Sequence, residues 1–423
     1  MGKVDKAVRE SRRMIEAEGF KEQHRTSRRT FSRVRKLTFS RMIILILQKS
    51  VKSIQLILNE WFEHLGGQTV SNSAFTPARA NLKHTAFIDL NARMVEINYE
   101  DGRYRRYKGF RLLAIDGSQI RLPEGEGIRE EFGEISYSNP KAEVNGAHNY
   151  AQISVLFDVL NRMVIAGECG KARADEVDLA KQHLSYAQRH EDWLRCDRND
   201  ATGHFMATRR RQQLNLVIRC PARFTVAKPM LQGQGADNRL VTLKVNPVEA
   251  IRVRFVRVRL STGEDEILAT SWLHEQPNPT DFFNEIYHLR WGVETRYALL
   301  KTRVELENFS GKTVTSVLPD FYATLYLTSL ESILTMETDA ILQVKVTSKH
   351  PQQVNRRVSF HAIKSEALNL LSSDLSIDKV LKKLRALFLT NPTLNKNQPT
   401  TPRNIKTARH LLHYHRTQRK HCF

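Results

Sequence analysis

Apolar residues spaced by three and four mark the first helical part of the chain. From Met42 to Leu65 they include Val51, Ile54, Leu58, Trp61 and Leu65, one face of a helix. Gly66-Gly67 supplies its stop. Thr76-Pro77 reads as a cap and first helical residue, with Ala78, Leu82, Ala86 and Leu90 as the stripe that follows. Residues 1–40 are rich in Arg and Lys and poor in long apolar side chains, which predicts a mobile or weakly helical arm.

The middle of the chain changes period. Leu112-Leu113-Ala114-Ile115 is a short continuous apolar run, as expected of a strand covered on both faces. Gln119 to Leu122 continues it or pairs with it. Ile153–Val159 and Met163–Ala166 flank Asn161-Arg162 and predict a hairpin. Residues 174–189 read as helix, Trp193–Cys196 as strand, 209–213 as helix and 214–219 as strand. Alternation then takes over at 240–245, 251–260 and 266–271. This predicts an antiparallel β insertion with one apolar and one arginine face, bulged where Phe255-Val256 breaks the alternation.

Helical spacing returns from Asp281 to about Leu306, and again near 319–336, 360–371 and 377–389. No acidic residue follows Asp378, so the remaining tail is a cationic arm.

Charge sharpens this picture. The 423 residues carry a formal net charge of +21, which calls for an acidic partner, nucleic acid before an anionic membrane surface. The longest apolar run, Met42–Leu47, is far short of the ~20 residues of a spanning helix. The basic N-terminus lacks a following apolar segment, so no secretory leader is expected. Cys169, Cys196, Cys220 and Cys422 are scattered without zinc spacing, consistent with a reduced, cytoplasmic protein.

The segment 286–303 is the richest in chemistry. With Tyr287 at zero on a helical wheel, Arg290, Glu294 and Lys301 fall at roughly 300°, 340° and 320°. Ile286, Leu289, Val293, Tyr297 and Leu300 form a separate apolar stripe. An aromatic, cationic, anionic and cationic stripe suits a phosphodiester, with Glu294 for a metal ion and Tyr287, Arg290 and Lys301 for phosphates. A two-metal site needs further carboxylates. Asp116 directly follows the run Leu112–Ile115, and Asp197 directly follows Trp193–Cys196. Strand ends are rigid platforms for such ligands. Arg198 stands beside Asp197 as a site-lining cation. Trp272 is a candidate for stacking on a flipped base or for the core.

The spacing Tyr287-x2-Arg290-x3-Glu294-x6-Lys301 resembles the signature of the IS4 family of bacterial insertion-sequence transposases. Ile115-Asp116-Gly117-Ser118, with Pro123 beyond, resembles that family's first catalytic segment, and Asp197-Arg198 with the strand Leu216–Arg219 its second. Asn199-Asp200 departs from the family's usual Gly-Tyr at this point. The resemblance covers most of residues 40–360. It implies a DDE triad of Asp116, Asp197 and Glu294 on an RNase H-like α/β core, interrupted by the β insertion. It also implies two Mg²⁺ ions, replaceable by Mn²⁺, with transposon-end and target DNA as substrates and a homodimer in the synaptic complex. The setting is the bacterial cytoplasm at the nucleoid, with no membrane partner.

The domain reading is an N-terminal helical DNA-binding region at 1–104 and a first part of the core at 105–220. The β insertion follows at 221–276, the last part of the core with the Glu294 helix at 277–345, and a basic helical C-terminal region at 346–423. The implied activity is metal-dependent strand cleavage and strand transfer in cut-and-paste transposition. The alternatives are an RNase H-fold nuclease that cleaves without joining, or a catalytically lapsed or domesticated DNA-binding protein.

Overall fold

The computed structural model describes residues 2–33, 35–50, 52–139, 144–187, 191–196, 203–211, 215–222, 224–233, 237–259, 263–273, 280, 282–283, 285, 307–344, 350–372 and 376–394. The chain divides into two units, one of Tyr104–Ile120 with Phe132–Ala298 and one of Met1–Arg103, Arg121–Glu131 and Leu299–Phe423.

The first of these units is built on a nine-stranded sheet. Its strands are β1 (Arg111–Arg121), β2 (Glu134–Asn139), β3 (Val144–Asp158), β4 (Met163–Lys171), β5 (Asp192–Cys196), β6 (Asn215–Arg219), β7 (Asn238–Lys244), β8 (Ala250–Arg259) and β9 (Asp265–Thr270). Their order is β2-β3-β1-β5-β6-β9-β8-β7, with β4 also paired to β3. β1, β5 and β6 are mutually parallel neighbours at the centre. The β3–β4 hairpin on one side and β6–β9–β8–β7 on the other are antiparallel. This is the α/β core expected from the sequence, with β4-β3-β1-β5-β6 as its central part. The two short apolar runs, 112–115 and 193–196, became adjacent central strands because both faces of each can be buried.

The β insertion is continuous with that core. β9 pairs directly with β6, so β7–β9 extend the same sheet. The expected division into an apolar and an arginine face does not hold. Ile251, Val253 and Phe255 are buried on one face, and Val256 and Val258 on the other. Arg254 is buried too, donating from Nε to Asn238 Oδ1 at 2.8 Å and lying over the Phe283 ring. The expected bulge is absent as well, since both registers pass through Phe255-Val256 without a shift. The break in alternation marks a strand covered first on one face and then on the other.

The second unit is helical, with helical regions from both ends of the chain. Its described elements include α1 (Lys3–Glu16), α2 (Glu18–His24), α3 (Phe39–Leu47), α4 (Ile54–His64), α5 (Asn72–Arg79) and α6 (Thr85–Tyr99). We number the later long helices here α7 (Val314–Val344), α8 (Arg356–Ser365) and α9 (Ile377–Thr390). The 31-residue α7 is buried along most of its length. Its polar side chains are matched: Arg79 Nη2 donates to Asp320 Oδ1 at 2.5 Å, and Arg356 Nη1 to Glu331 Oε1 at 2.6 Å. The N-terminal residues are thus no loose arm. α1 buries Ala7, Val8 and Ile15, and the Tyr326 hydroxyl donates to Ser11 Oγ at 2.8 Å. The long pattern from Met42 to Leu65 is two helices, because Ser53 caps α4 through Leu56 N. Ser71 rather than Thr76 caps α5, and Pro77 lies inside it. Among the described residues, no helix is long and apolar enough to cross a membrane. The cationic tail at 395–423 lies outside the described residues.

Candidate active site

β1 runs buried from Arg111 to Ile115 and then emerges, with Asp116, Gly117 and Ser118 half-buried. Asp116 is therefore the first polar side chain past the buried part of a central strand. Its neighbour β5 pairs in parallel, with Arg111 opposite Asp192, Leu112 opposite Trp193, Leu113 opposite Leu194 and Ala114 opposite Arg195. β5 ends at Cys196, one residue before Asp197.

Side-chain parity settles which way Asp116 points. Successive residues of a strand face opposite sides, so Leu112, Ala114 and Asp116 share one face. Leu112 and Trp193 belong to one apolar cluster with Val217, Val256, Val258, Leu268, Phe282 and Phe283. The face carrying Asp116 is thus the face on which Phe282 and Phe283 pack.

Those two phenylalanines open the segment that leads to Glu294. Phe282 stacks on Trp193 at 5.1 Å between centroids, and Phe283 meets the same ring edge-on at 6.2 Å. Glu285 follows. Lys108 Nζ donates to Glu285 Oε2 at 2.7 Å, and the Tyr107 hydroxyl donates to the same oxygen. The lysine first, and then the tyrosine, hold the Glu285 carboxyl below the usual range. The entry to β1 and the segment at 282–285 are in this way clamped together by rings and by charge.

At the foot of the two strands lies a buried ion pair. Arg111 donates from Nε to Asp192 Oδ1 at 2.6 Å and from Nη2 to Asp192 Oδ2 at 2.7 Å. Both residues are at most 2% exposed. They are register partners, so the pair joins β1 to β5 five residues before Asp116. Sequence reading missed both. The available signal was the placement of opposite charges at matched positions, just ahead of two apolar runs.

The opposite face explains Gly117. A Cβ there would lie 3.3 Å from Gln152 Nε2 and 3.3 Å from the Glu176 carboxyl carbon. Gln152 Nε2 itself donates to Glu176 Oε1 at 3.0 Å. The small residue lets these side chains cross close behind the strand without displacing Asp116.

Trp272 takes a different place. Its ring stacks on Trp193 at 4.8 Å and on Phe282 at 5.4 Å, and its Nε1 donates to Asn215 Oδ1 at 2.8 Å. It sits in the aromatic cluster at the Leu112 end of β1, about 13 Å of strand away from Asp116. A ring held this way serves the core. Of the remaining expected site residues, Asp197, Arg198, Tyr287, Arg290, Glu294 and Lys301 lie outside the described residues. Among the described residues there is no group of three His, Cys, Asp or Glu able to hold a metal ion.

The family sequence model described as a transposase DDE domain matches residues 107–319, half of the chain. The chain belongs to this family, and it is a transposase. Members of this class generally work with divalent metal ions. No curated protein matches the chain. Among solved structures it is similar to a piggyBac transposase synaptic complex with hairpin DNA, determined by cryo-EM. The identity is 10% and the TM-score 0.45, over 96% of this chain and 88% of that one.

Proposed function

We propose that the chain is an insertion-sequence transposase of the IS4 type. In this reading it binds the ends of its own element and moves it by metal-dependent strand cleavage and strand transfer. Asp116, Asp197 and Glu294 are its catalytic carboxylates. It acts as a homodimer on paired ends, in the bacterial cytoplasm at the nucleoid.

The observation that carries this reading is the shared face of Leu112, Trp193, Phe282 and Phe283. Parity gives Asp116 that face. The β1–β5 register, continued by two residues, would bring Asp197 opposite Asp116 and onto the same face. A helix continuing from Phe283 would rise about 16 Å by Glu294. The strand climbs about 13 Å from Leu112 to Asp116, a comparable height. Three carboxylates meeting there form a hard oxygen donor set, suited to Mg²⁺ and to Mn²⁺.

When two such ions are bound, the site supplies Lewis acidity to the attacking water and to the leaving oxygen. Tyr287, Arg290 and Lys301 hold phosphate oxygens along the Glu294 helix, and Arg198 adds a cation beside Asp197. In cleavage, the oxygen of water bonds to phosphorus and the bond from phosphorus to O3′ breaks. The freed 3′-hydroxyl then attacks a target phosphodiester, which releases the target's own 3′ oxygen. The carboxylates and cations keep the attacking oxygen in line with the leaving one.

The test is a strand-transfer assay with duplexes carrying the element's terminal repeats, Mg²⁺ and a supercoiled target. The expected products are element ends joined covalently to target strands. Cleavage without joining would replace this reading with that of a nuclease, and no cleavage by the folded protein would favour a lapsed copy.

A further inference from the structure

The helical unit carries a concentrated and unmatched positive charge on the loop joining α2 to α3. No acidic residue occurs between Glu22 and Glu60. Within that interval, Arg28, Arg29, Arg33, Arg35 and Lys36 are all exposed. Elsewhere in the unit several cations have carboxylate partners, as Lys6 has Glu100, Arg13 has Glu10 and Lys52 has Glu60. Among the described residues, Arg28, Arg29, Arg33 and Arg35 form no ion pair.

The loop is nevertheless built. Arg25 donates from Nη1 to Thr30 O at 2.9 Å and from Nη2 to Glu22 Oε2 at 2.6 Å. Thr30 Oγ1 donates to Ser27 O at 2.7 Å, and Ser32 Oγ to Arg29 O at 2.8 Å. Arg41 Nη1 closes the far end on Lys36 O at 2.9 Å. Phe31 adopts a φ of 54° and packs edge-on against Phe39, 5.6 Å away, at the start of the buried helix α3. Thr26 N is bonded to Asn81 O at 3.0 Å, which ties the loop to the segment before α6. Side-chain bonds to backbone carbonyls thus shape the turn, and four guanidinium groups remain outside that network.

We propose that this loop is a docking surface for the phosphate backbone of duplex DNA. The guanidinium fork matches phosphate oxygens in pairs, and it is less strongly hydrated than an ammonium. A loop already held in shape loses little conformational freedom on binding. Contacts of this kind fix position and register on the duplex and carry no sequence information. The assignment rests on the transposase reading above, and it names one basic segment that holds the DNA.

The experiment compares the full chain with the variant R28A/R29A/R33A/R35A. Binding to a fluorescent DNA duplex is followed by anisotropy across a salt series. Each lost phosphate contact is expected to flatten the plot of log affinity against log salt by about 0.9. The variant should therefore bind at least tenfold more weakly at a fixed low salt, with a slope reduced by about 2 to 4. The charge-keeping variant R28K/R29K/R33K/R35K should retain most of the slope, and R13A/K52A, which removes matched cations, should leave it unchanged. An alanine variant whose slope stays within about 1 of the wild type overturns the loop assignment while the transposase reading stands. Wild-type protein that binds anionic vesicles but shows no salt-dependent duplex binding overturns both.

Discussion

Replacing Asp116 by Asn is expected to reduce strand cleavage by about a thousandfold or more, while the protein stays folded. Asn keeps the size and shape of the side chain but removes the charge and one anionic oxygen. Asp116 is half-buried at the point where β1 emerges from the core. A polar substitution there should shift stability by no more than about 0.5 kcal/mol. The loss thus falls on catalysis alone. Initial rates of nicking on an end-bearing duplex, beside thermal unfolding of the same preparations, check the prediction. Retained Mg²⁺-dependent nicking by Asp116→Asn would remove Asp116 from the site.

The ion pair beneath the site gives the second large effect. Arg111→Met leaves the Asp192 carboxylate nearly wholly buried with its bidentate partner gone. Breaking a buried pair in this way costs about 3–5 kcal/mol, chiefly through the stranded charge. In a unit of this size that corresponds to a fall of roughly 6–20 °C in melting temperature. Asp192→Leu should cost a similar amount for the converse reason. The double variant Arg111→Met/Asp192→Leu strands neither charge, and it should recover most of the loss. Its remaining deficit measures what the pair contributes to the β1–β5 register rather than to solvation. Denaturant unfolding of the four proteins gives all of these terms in one cycle. Additive losses in the double variant would mean that the two residues act independently, against the observed geometry.

Much of this architecture could be read from residue spacing. The runs 112–115 and 193–196 were legible as strands because strands buried on both faces need uninterrupted apolar side chains. The same logic made Asp116 conspicuous as the polar residue that ends such a run. Glu294 was conspicuous for another reason, since its spacing from Tyr287, Arg290 and Lys301 predicts one shared face of a helix.

What stayed hidden depended on tertiary partners. β2 has the polar sequence Glu134–Asn139 and owes its form to pairing with β3. α1 looked like an arm because its buried residues are mostly small: Ala7, Val8 and Ser11, with Ile15. Its place depends on contacts such as the hydrogen bond from Tyr326, far along the chain. Arg254 counted toward a solvated arginine face, yet Asn238 and the Phe283 ring give it a buried place. The side of the sheet taken by Phe282 and Phe283 was equally unreadable. Periodicity reveals that Phe282 and Phe283 must be buried, but not which face receives them. The packed cluster supplies that choice, and with it the common face of Asp116 and the segment leading to Glu294.

The central claim is that three carboxylates distant in sequence hold metal ions together. Titrating Mn²⁺ into the purified protein, with free ion followed by electron paramagnetic resonance, tests it most directly. The wild type should bind Mn²⁺ specifically, and Asp116→Asn, Asp197→Asn and Glu294→Gln should each weaken that binding at least tenfold while unfolding like the wild type. Unchanged Mn²⁺ affinity in any one of the three folded variants would contradict the account.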